Sequence, residues 1–117
     1  MTPGLHWFFV TFLTEPSPNS ASANGIAQSL PSPPVSFVVG ASQRVLLSNI
    51  PLGPPGTTAR WIYGTTVGGS AYYLMMQLND NTSTSALVNT TDVAAVKSNV
   101  YVPPGLVYVP ATFDVTV

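Results

Sequence analysis

Apolar and polar positions alternate along much of this chain, and the pattern is densest on either side of a Gly-Gly pair. Segment 58–65, TARWIYGT, and segment 71–79, AYYLMMQLN, are rich in aromatic and other apolar residues, and 66–70, TVGGS, lies between them. Two such runs around a Gly-Gly turn predict a β-hairpin spanning residues 57–81. In the second arm Tyr72, Leu74, Met76 and Leu78 fall on one face, and Tyr73, Met75 and Gln77 on the other. Both faces are largely apolar, so this strand is expected to be covered on both sides.

Segment 5–14, LHWFFVTFLT, reads as a first strand. It sets Leu5, Trp7, Phe9 and Leu13 on one face and His6, Phe8, Val10 and Phe12 on the other. A short strand follows at 35–40. Another follows at 43–50, with Val45 and Leu47 opposite Arg44, Leu46 and Ser48. PLGPPG at 51–56 is a rigid connection whose prolines stop that strand from extending. Asn79-Asp80-Asn81-Thr82 predicts an Asx-type turn. Segment 82–88 reads as a Thr/Ser-rich edge strand, 90–98 as one helical turn or a loop, and 99–104 as extended. Segment 106–117 has the cleanest period of two. Val107, Val109, Ala111, Phe113, Val115 and Val117 face one way, and Leu106, Tyr108, Pro110, Thr112, Asp114 and Thr116 the other. That predicts a half-buried strand kinked at Pro110. About seven short strands predict a single all-β antiparallel sandwich over residues 1–117, with 100–117 as its C-terminal strand segment. Segment 15–34, rich in Pro, Ser, Asn and Ala with a turn at Asn24-Gly25, predicts an extended loop or binding arm.

Composition sharpens this picture. The chain has 117 residues, 12 prolines and 9 glycines, which favours short strands over long helices. Only 6% of residues are charged, against roughly 25% in ordinary domains. A free monomer of such composition lacks the surface charge that aids solubility, so much of the surface is expected to meet copies of itself or another protein. Arg44, Arg60 and Lys97 against Glu15, Asp80, Asp92 and Asp114 give a net charge of −1. Three scattered cations make no phosphate-tracking patch, which argues against nucleic acid. There is no cysteine, and hence no disulfide framework. No run reaches the ~18 apolar residues of a membrane span. An apolar run at 5–13 followed by Ala21-Ser22-Ala23 loosely resembles a signal peptide. No Lys or Arg precedes it, and Glu15, Pro16 and Pro18 interrupt it, so a first strand is the better reading.

Candidate chemistry is sparse. His6 is the only histidine and reads as a strand residue at a core edge; no metal or cofactor is expected. A nucleophile–base triad would have to use that residue, and a glycosidase pair would draw on four acids that no motif brings together. Asn79-Asp80-Asn81 reads as a turn before it reads as a calcium loop. Gly68-Gly69 lacks the Lys-Ser/Thr of a phosphate loop. Asn81-Thr82-Ser83 and Asn89-Thr90-Thr91 fit a glycosylation pattern that Asn/Thr-rich chains meet by chance.

The run 29–85 then resembles a module of tailed-bacteriophage virion proteins, of fibronectin type III-like or immunoglobulin-like character. That module runs through a strand ending in "FVT", an "ES-x-PSP" turn, "V-x-L-SNIP-x-GP", "T-x-AR-x-IYRT-x-x-GGS-x-YYL" and "INDNTTT". The matching residues here are Val10-Thr11-Phe12, Leu30-Pro31-Ser32-Pro33, Leu47-Ser48-Asn49-Ile50-Pro51, Thr58-Ala59-Arg60, Ile62-Tyr63, Gly68-Gly69-Ser70, Tyr72-Tyr73-Leu74 and Asp80-Asn81-Thr82. They span about half the chain. Gly64 stands where the pattern has arginine, 15–28 is an altered loop, and 100–117 has no counterpart.

The resemblance implies a sandwich fold and a virion location, with no enzymatic activity carried over. A complete one-module protein beginning at Met1 would suit a capsid decoration or cement protein that binds the major capsid protein in many copies, without nucleic acid, membrane or cofactor. Trp7, Phe9, Pro18, Ile26, Leu30, Trp61 and Tyr108 are the contact residues expected on that reading. A tail, adaptor or fibre component that binds host glycan or another tail protein is the alternative, with Trp7, Trp61, Tyr63, Tyr72 and Tyr73 as the residues that could stack on sugars. The protruding spike domain of a small icosahedral RNA-virus capsid protein is a third, on the Pro-rich linkers and low charge.

Overall fold

The computed structural model describes residues 1–14, 27–28, 31–98, 100–101 and 113–116. These residues form two antiparallel sheets, as the alternation predicts. In chain order the elements are β1 (Gly4–Thr14), β2 (Ala27–Gln28), β3 (Val35–Val39), β4 (Val45–Ser48), β5 (Thr57–Thr65), β6 (Tyr72–Leu78), β7 (Ala86–Val88), α1 (Asp92–Ala95) and β8 (Asp114–Thr116). The larger sheet has five strands. β1 lies beside β5, which lies beside β6, while β2 and β3 share the opposite edge of β1. The smaller sheet runs β7-β4-β8.

The core lies between the sheets. Phe8, Val10, Ile62 and Leu78 of the larger sheet pack with Val45, Leu47, Ala86 and Val88 of the smaller, joined by Ile50 and Phe113. Phe113 is buried and Val115 packs against the core, while Asp114 and Thr116 are exposed, so the predicted alternation holds over 113–116. The rest of that strand, 106–112 and 117, and the Pro110 kink lie outside the described residues. So does most of segment 15–34, although Ala27–Gln28 within it pair with Leu13 and Thr14 as β2.

Ser32 bridges the gap between β2 and β3. Its N–H donates to the Val10 carbonyl (2.9 Å) and its hydroxyl accepts from the Val10 N–H (3.0 Å). Pro31 and Pro33 have no N–H to offer, so one serine supplies both halves of a strand partner.

The hairpin forms at β5–β6. The Gly69 N–H donates to the Thr66 carbonyl (2.9 Å), with Gly68 at φ +65°, where a type II turn needs left-handed backbone. The single alternation expected through 71–79 is broken. Ile62 pairs with Met76 but Tyr63 pairs with Leu74, so Met75 is an extra residue in a β-bulge. Tyr72 and Leu74 therefore share the outer face with Tyr63, while Met75 and Met76 both pack against the core. Gly64, opposite Phe8 and Tyr73, lies beneath this bulge. A Cβ there would sit 2.5 Å from Met75 Sδ and 3.1 Å from a Phe8 ring carbon. A larger side chain at this position would have to displace the flexible end of Met75.

Other strands are shorter than predicted. Asn49, at φ +53°, ends β4 before residue 50, and asparagine tolerates that backbone better than most residues. The 82–88 strand keeps only Ala86–Val88. Residues 92–95 form α1, capped by the Thr91 hydroxyl, which accepts from the Ala94 N–H (3.3 Å). Val100 bridges Tyr73 at the outer edge of β6, and the Tyr101 N–H donates to the Tyr72 carbonyl (2.7 Å).

Candidate functional site

Some of the residues that carry the sequence resemblance, Pro51, Arg60, Asp80 and Asn81, meet at one end of the sandwich. Arg60 faces inward on β5, opposite Phe12 and Leu78, and its side chain is completely buried. A buried guanidinium has to have every donor engaged. Its Nη1 donates to the Pro51 carbonyl (3.1 Å), Nε to the Asp80 carbonyl (3.2 Å) and Nη2 to Asp80 Oδ1 (2.9 Å). Asp80 also accepts from the Thr82 and Ser83 N–H groups and the Ser83 hydroxyl, which builds the predicted Asx turn. The Ser83 bonds first, then Thr82 and Arg60, hold the Asp80 carboxyl well below the usual carboxylate range. Next to it, Asn81 clips Gly53 by both backbone atoms: Nδ2 donates to its carbonyl (2.9 Å) and Oδ1 accepts from its N–H (2.6 Å). These residues brace the fold. The PLGPPG connection and the Asn-Asp-Asn turn are fastened to β5 from both sides.

A second group lies on the outer face of the larger sheet. Phe9 stacks on Tyr72 (4.2 Å between ring centroids) and contacts Tyr63 (5.4 Å) and Tyr101 (4.9 Å, edge-on). Tyr63 and Tyr101 also meet edge-on at 5.3 Å. Burial pushes the Tyr72 and Tyr101 phenols up from their ordinary value. Thr11 and Leu13 are buried on the same face, so the middle of this sheet is covered on both sides, as the two apolar faces of β1 require.

Among the apolar residues left exposed, which include the cross-strand pair Leu46 and Leu87 on the smaller sheet, one group lies at the N-terminal end of β1. Leu5 and Val38 are direct cross-strand partners and are 39% and 68% exposed. Trp7, two residues along on the same face, is 37% exposed. Val67 is also partly exposed and packs over Gly4, the left-handed residue (φ +133°) that opens the strand. No charged side chain belongs to this group.

Of the predicted contact residues, Trp7, Phe9 and Trp61 lie among the described residues, all on β1 and β5 of the larger sheet. Trp7 is at the exposed surface. Phe9 is 4% exposed and engaged within the chain. Trp61 lies half-buried opposite Thr11 on the outer face. Pro18, Ile26, Leu30 and Tyr108 lie outside the described residues. Val38 was missed, although an apolar residue near the end of a short strand was visible in the sequence. The sequence reading gave Arg60 no structural role beyond its place in a motif and in the charge count. Its signal was an inward strand position held by one of only three cations. Among the described residues no three of His, Asp or Glu come together as a metal-ligand set. Compared with protein-family models, curated proteins and solved structures, the chain finds no match.

Proposed function

We propose that this chain is a non-enzymatic structural protein of a tailed-phage-like virion, a decoration or cement protein that adheres to the major capsid shell. The observation that carries this reading is the uncharged apolar surface of Leu5, Trp7 and Val38, which stands outside the core between the two sheets. The motif residues of the resemblance support it indirectly. Ser32, Pro51, Arg60, Asp80 and Asn81 all serve the scaffold, so the partner-specific part of the protein lies elsewhere on its surface.

Magnitudes constrain the mechanism. Fully burying a large apolar side chain is worth roughly 1.5–3 kcal/mol, and these three are already partly covered. Their sum is comparable to the ~4–15 kcal/mol that docking one rigid body costs. A lone copy would bind weakly. Retention needs many contacts at once, such as one copy bridging two shell subunits, where the second contact forms at high effective concentration. An edge strand completing a neighbour's sheet would add backbone hydrogen bonds without charge.

The glycan-binding tail reading has less support. Tyr63 and Tyr72 are engaged with Phe9, which leaves fewer aromatic faces for a sugar. The test is co-sedimentation of the purified chain with shells stripped of it. Saturable binding at a fixed ratio to the shell subunit is expected; absence of binding would overturn the proposal.

A further inference from the structure

The smaller sheet departs from the apolar-in, polar-out rule at one row. Val45, Leu47, Ala86 and Val88 turn inward to the core. A sheet with one face on the core is expected to be polar on the other. Leu46 and Leu87 nevertheless point outward, 36% and 50% exposed, and they are direct cross-strand partners. On the other side of Leu46 stands Thr116, whose hydroxyl donates to the Leu46 carbonyl (3.2 Å) and is thus engaged within the chain. The rows above and below carry opposite charges. Asp114, exposed on β8, pairs with Ser48 at the end of β4. Arg44, also exposed, immediately precedes β4 and by alternation shares the face of Leu46. Between Arg44 and Ser48 an extended chain rises about 13 Å, so the two charges are too far apart to neutralise each other within one copy. Asp114 accepts from Asn49 Nδ2 (2.5 Å), a neutral donor, and Arg44 makes no ion pair among the described residues. In a chain with three basic and four acidic residues, one of each frames this leucine pair.

We infer that the outer face of the smaller sheet, around Leu46 and Leu87, pairs with the same face of a second copy of this chain. The charges choose the geometry. Two identical sheets stacked face to face, about 10 Å apart, are related by a two-fold axis that lies between them. An axis running along the strands would set Arg44 over the partner's Arg44. An axis running across the strands makes β4 antiparallel to its copy instead. Leu46 and Leu87 then meet their own counterparts. Arg44 lies over the partner's Ser48, one strand away from the partner's Asp114, within reach of a long side chain. Symmetry forms this ion pair twice. A cation, an apolar centre and an anion in succession are complementary to themselves in this arrangement.

Footprint sets the strength. Three strands ~4.8 Å apart, three outward residues deep, cover roughly 15 by 15 Å. That is far below the ~800 Å² per partner of a standard interface, and exposed ion pairs each add little. The dimer is therefore weak in dilute solution and fills where copies are concentrated. The Leu46–Leu87 face and the Leu5–Trp7–Val38 surface belong to different sheets, so one copy can use both. The inference stands on the smaller sheet alone and does not depend on shell binding.

The test is sedimentation equilibrium of the purified chain in low salt, from about 10 μM to about 1 mM, the range in which a small interface becomes populated. A reversible monomer–dimer equilibrium is expected, with concentration-dependent amide shifts confined to Arg44, β4, β7 and β8. Arg44→Asp and Asp114→Arg should each weaken the dimer roughly tenfold or more, since each turns two attractions into two repulsions. An equimolar mixture of these two variants should recover dimers, because each supplies the charge that the other lacks. Leu87→Lys, at an exposed position, should keep the wild-type melting temperature and lose the dimer. A monomer throughout the range, a dimer indifferent to Leu87→Lys, amide shifts on another face, or a mixture of the folded variants no better than either alone would overturn the inference.

Discussion

The guanidinium of Arg60 and the carboxylate of Asp80 meet at 2.9 Å with opposite relations to water: the arginine side chain is wholly buried, the aspartate 42% exposed. Removing one partner is therefore not equivalent to removing the other. Arg60→Ala leaves an aspartate that still has Ser83, Thr82 and solvent, but strips donors from the Pro51 and Asp80 carbonyls and opens a cavity. Its cost is expected to be about 2–4 kcal/mol. Arg60→Met fills the space without the bonds and should cost less. Asp80→Asn should also lower the melting temperature, because it leaves a buried cation with no counter-charge. Thermal and urea unfolding of the three variants check the order.

Asp80 also predicts a pH effect. Its carboxyl ionises well below the usual range in the folded chain, mainly through Ser83. A depressed carboxyl stabilises the fold above its unfolded value of about 3.9 and loses that contribution as pH falls further toward the folded value. Urea midpoints of wild type and Asp80→Asn should differ at neutral pH and converge as the buffer is taken below about pH 3.

Gly64 and Met75 should be energetically coupled. Gly64→Ala is expected to fall at or below the low end of the roughly 1–3 kcal/mol of overpacking, because the new methyl group meets the flexible end of Met75, which must move aside. Met75→Ala vacates that space, so the double variant should lose less than the sum of the two single ones. Gly64→Arg, which restores the residue of the resembling module, should be worse than Gly64→Ala here. Additive losses would mean that the bulge does not dictate this glycine.

The hairpin was legible because a Gly-Gly turn between two aromatic runs states its register locally. The bulge was not, since every residue of YYLMM is apolar and either face suits it; only the cross-sheet packing of Met75 and Met76 decides. Ser32 read as part of a Pro-rich loop, and its role depends on Val10, 22 residues away. Both faces of β1 read as apolar, but no local signal tells Phe9, inside the aromatic group, from Trp7, left at the surface. That distinction depends on how far β3, β6 and the chain near Tyr101 extend over the sheet.

Surface variants separate attachment from folding. Val38→Lys is expected to change stability by less than about 0.5 kcal/mol, as at an ordinary exposed site. It should abolish shell co-sedimentation if the Leu5–Trp7–Val38 surface makes the contact. Deletion of residues 19–24 spares β2 and should leave the melting temperature close to wild type while weakening attachment. Wild-type binding by Val38→Lys would move the contact off this surface; wild-type binding by the deletion would remove the arm from the account.

The most direct measurement of the central claim is the copy number of this chain in purified particles, by quantitative mass spectrometry against the major shell protein. Decoration predicts a ratio to the shell subunit of one or a simple fraction, because closed icosahedral symmetry repeats every contact. A handful of copies per particle, or none, would contradict it.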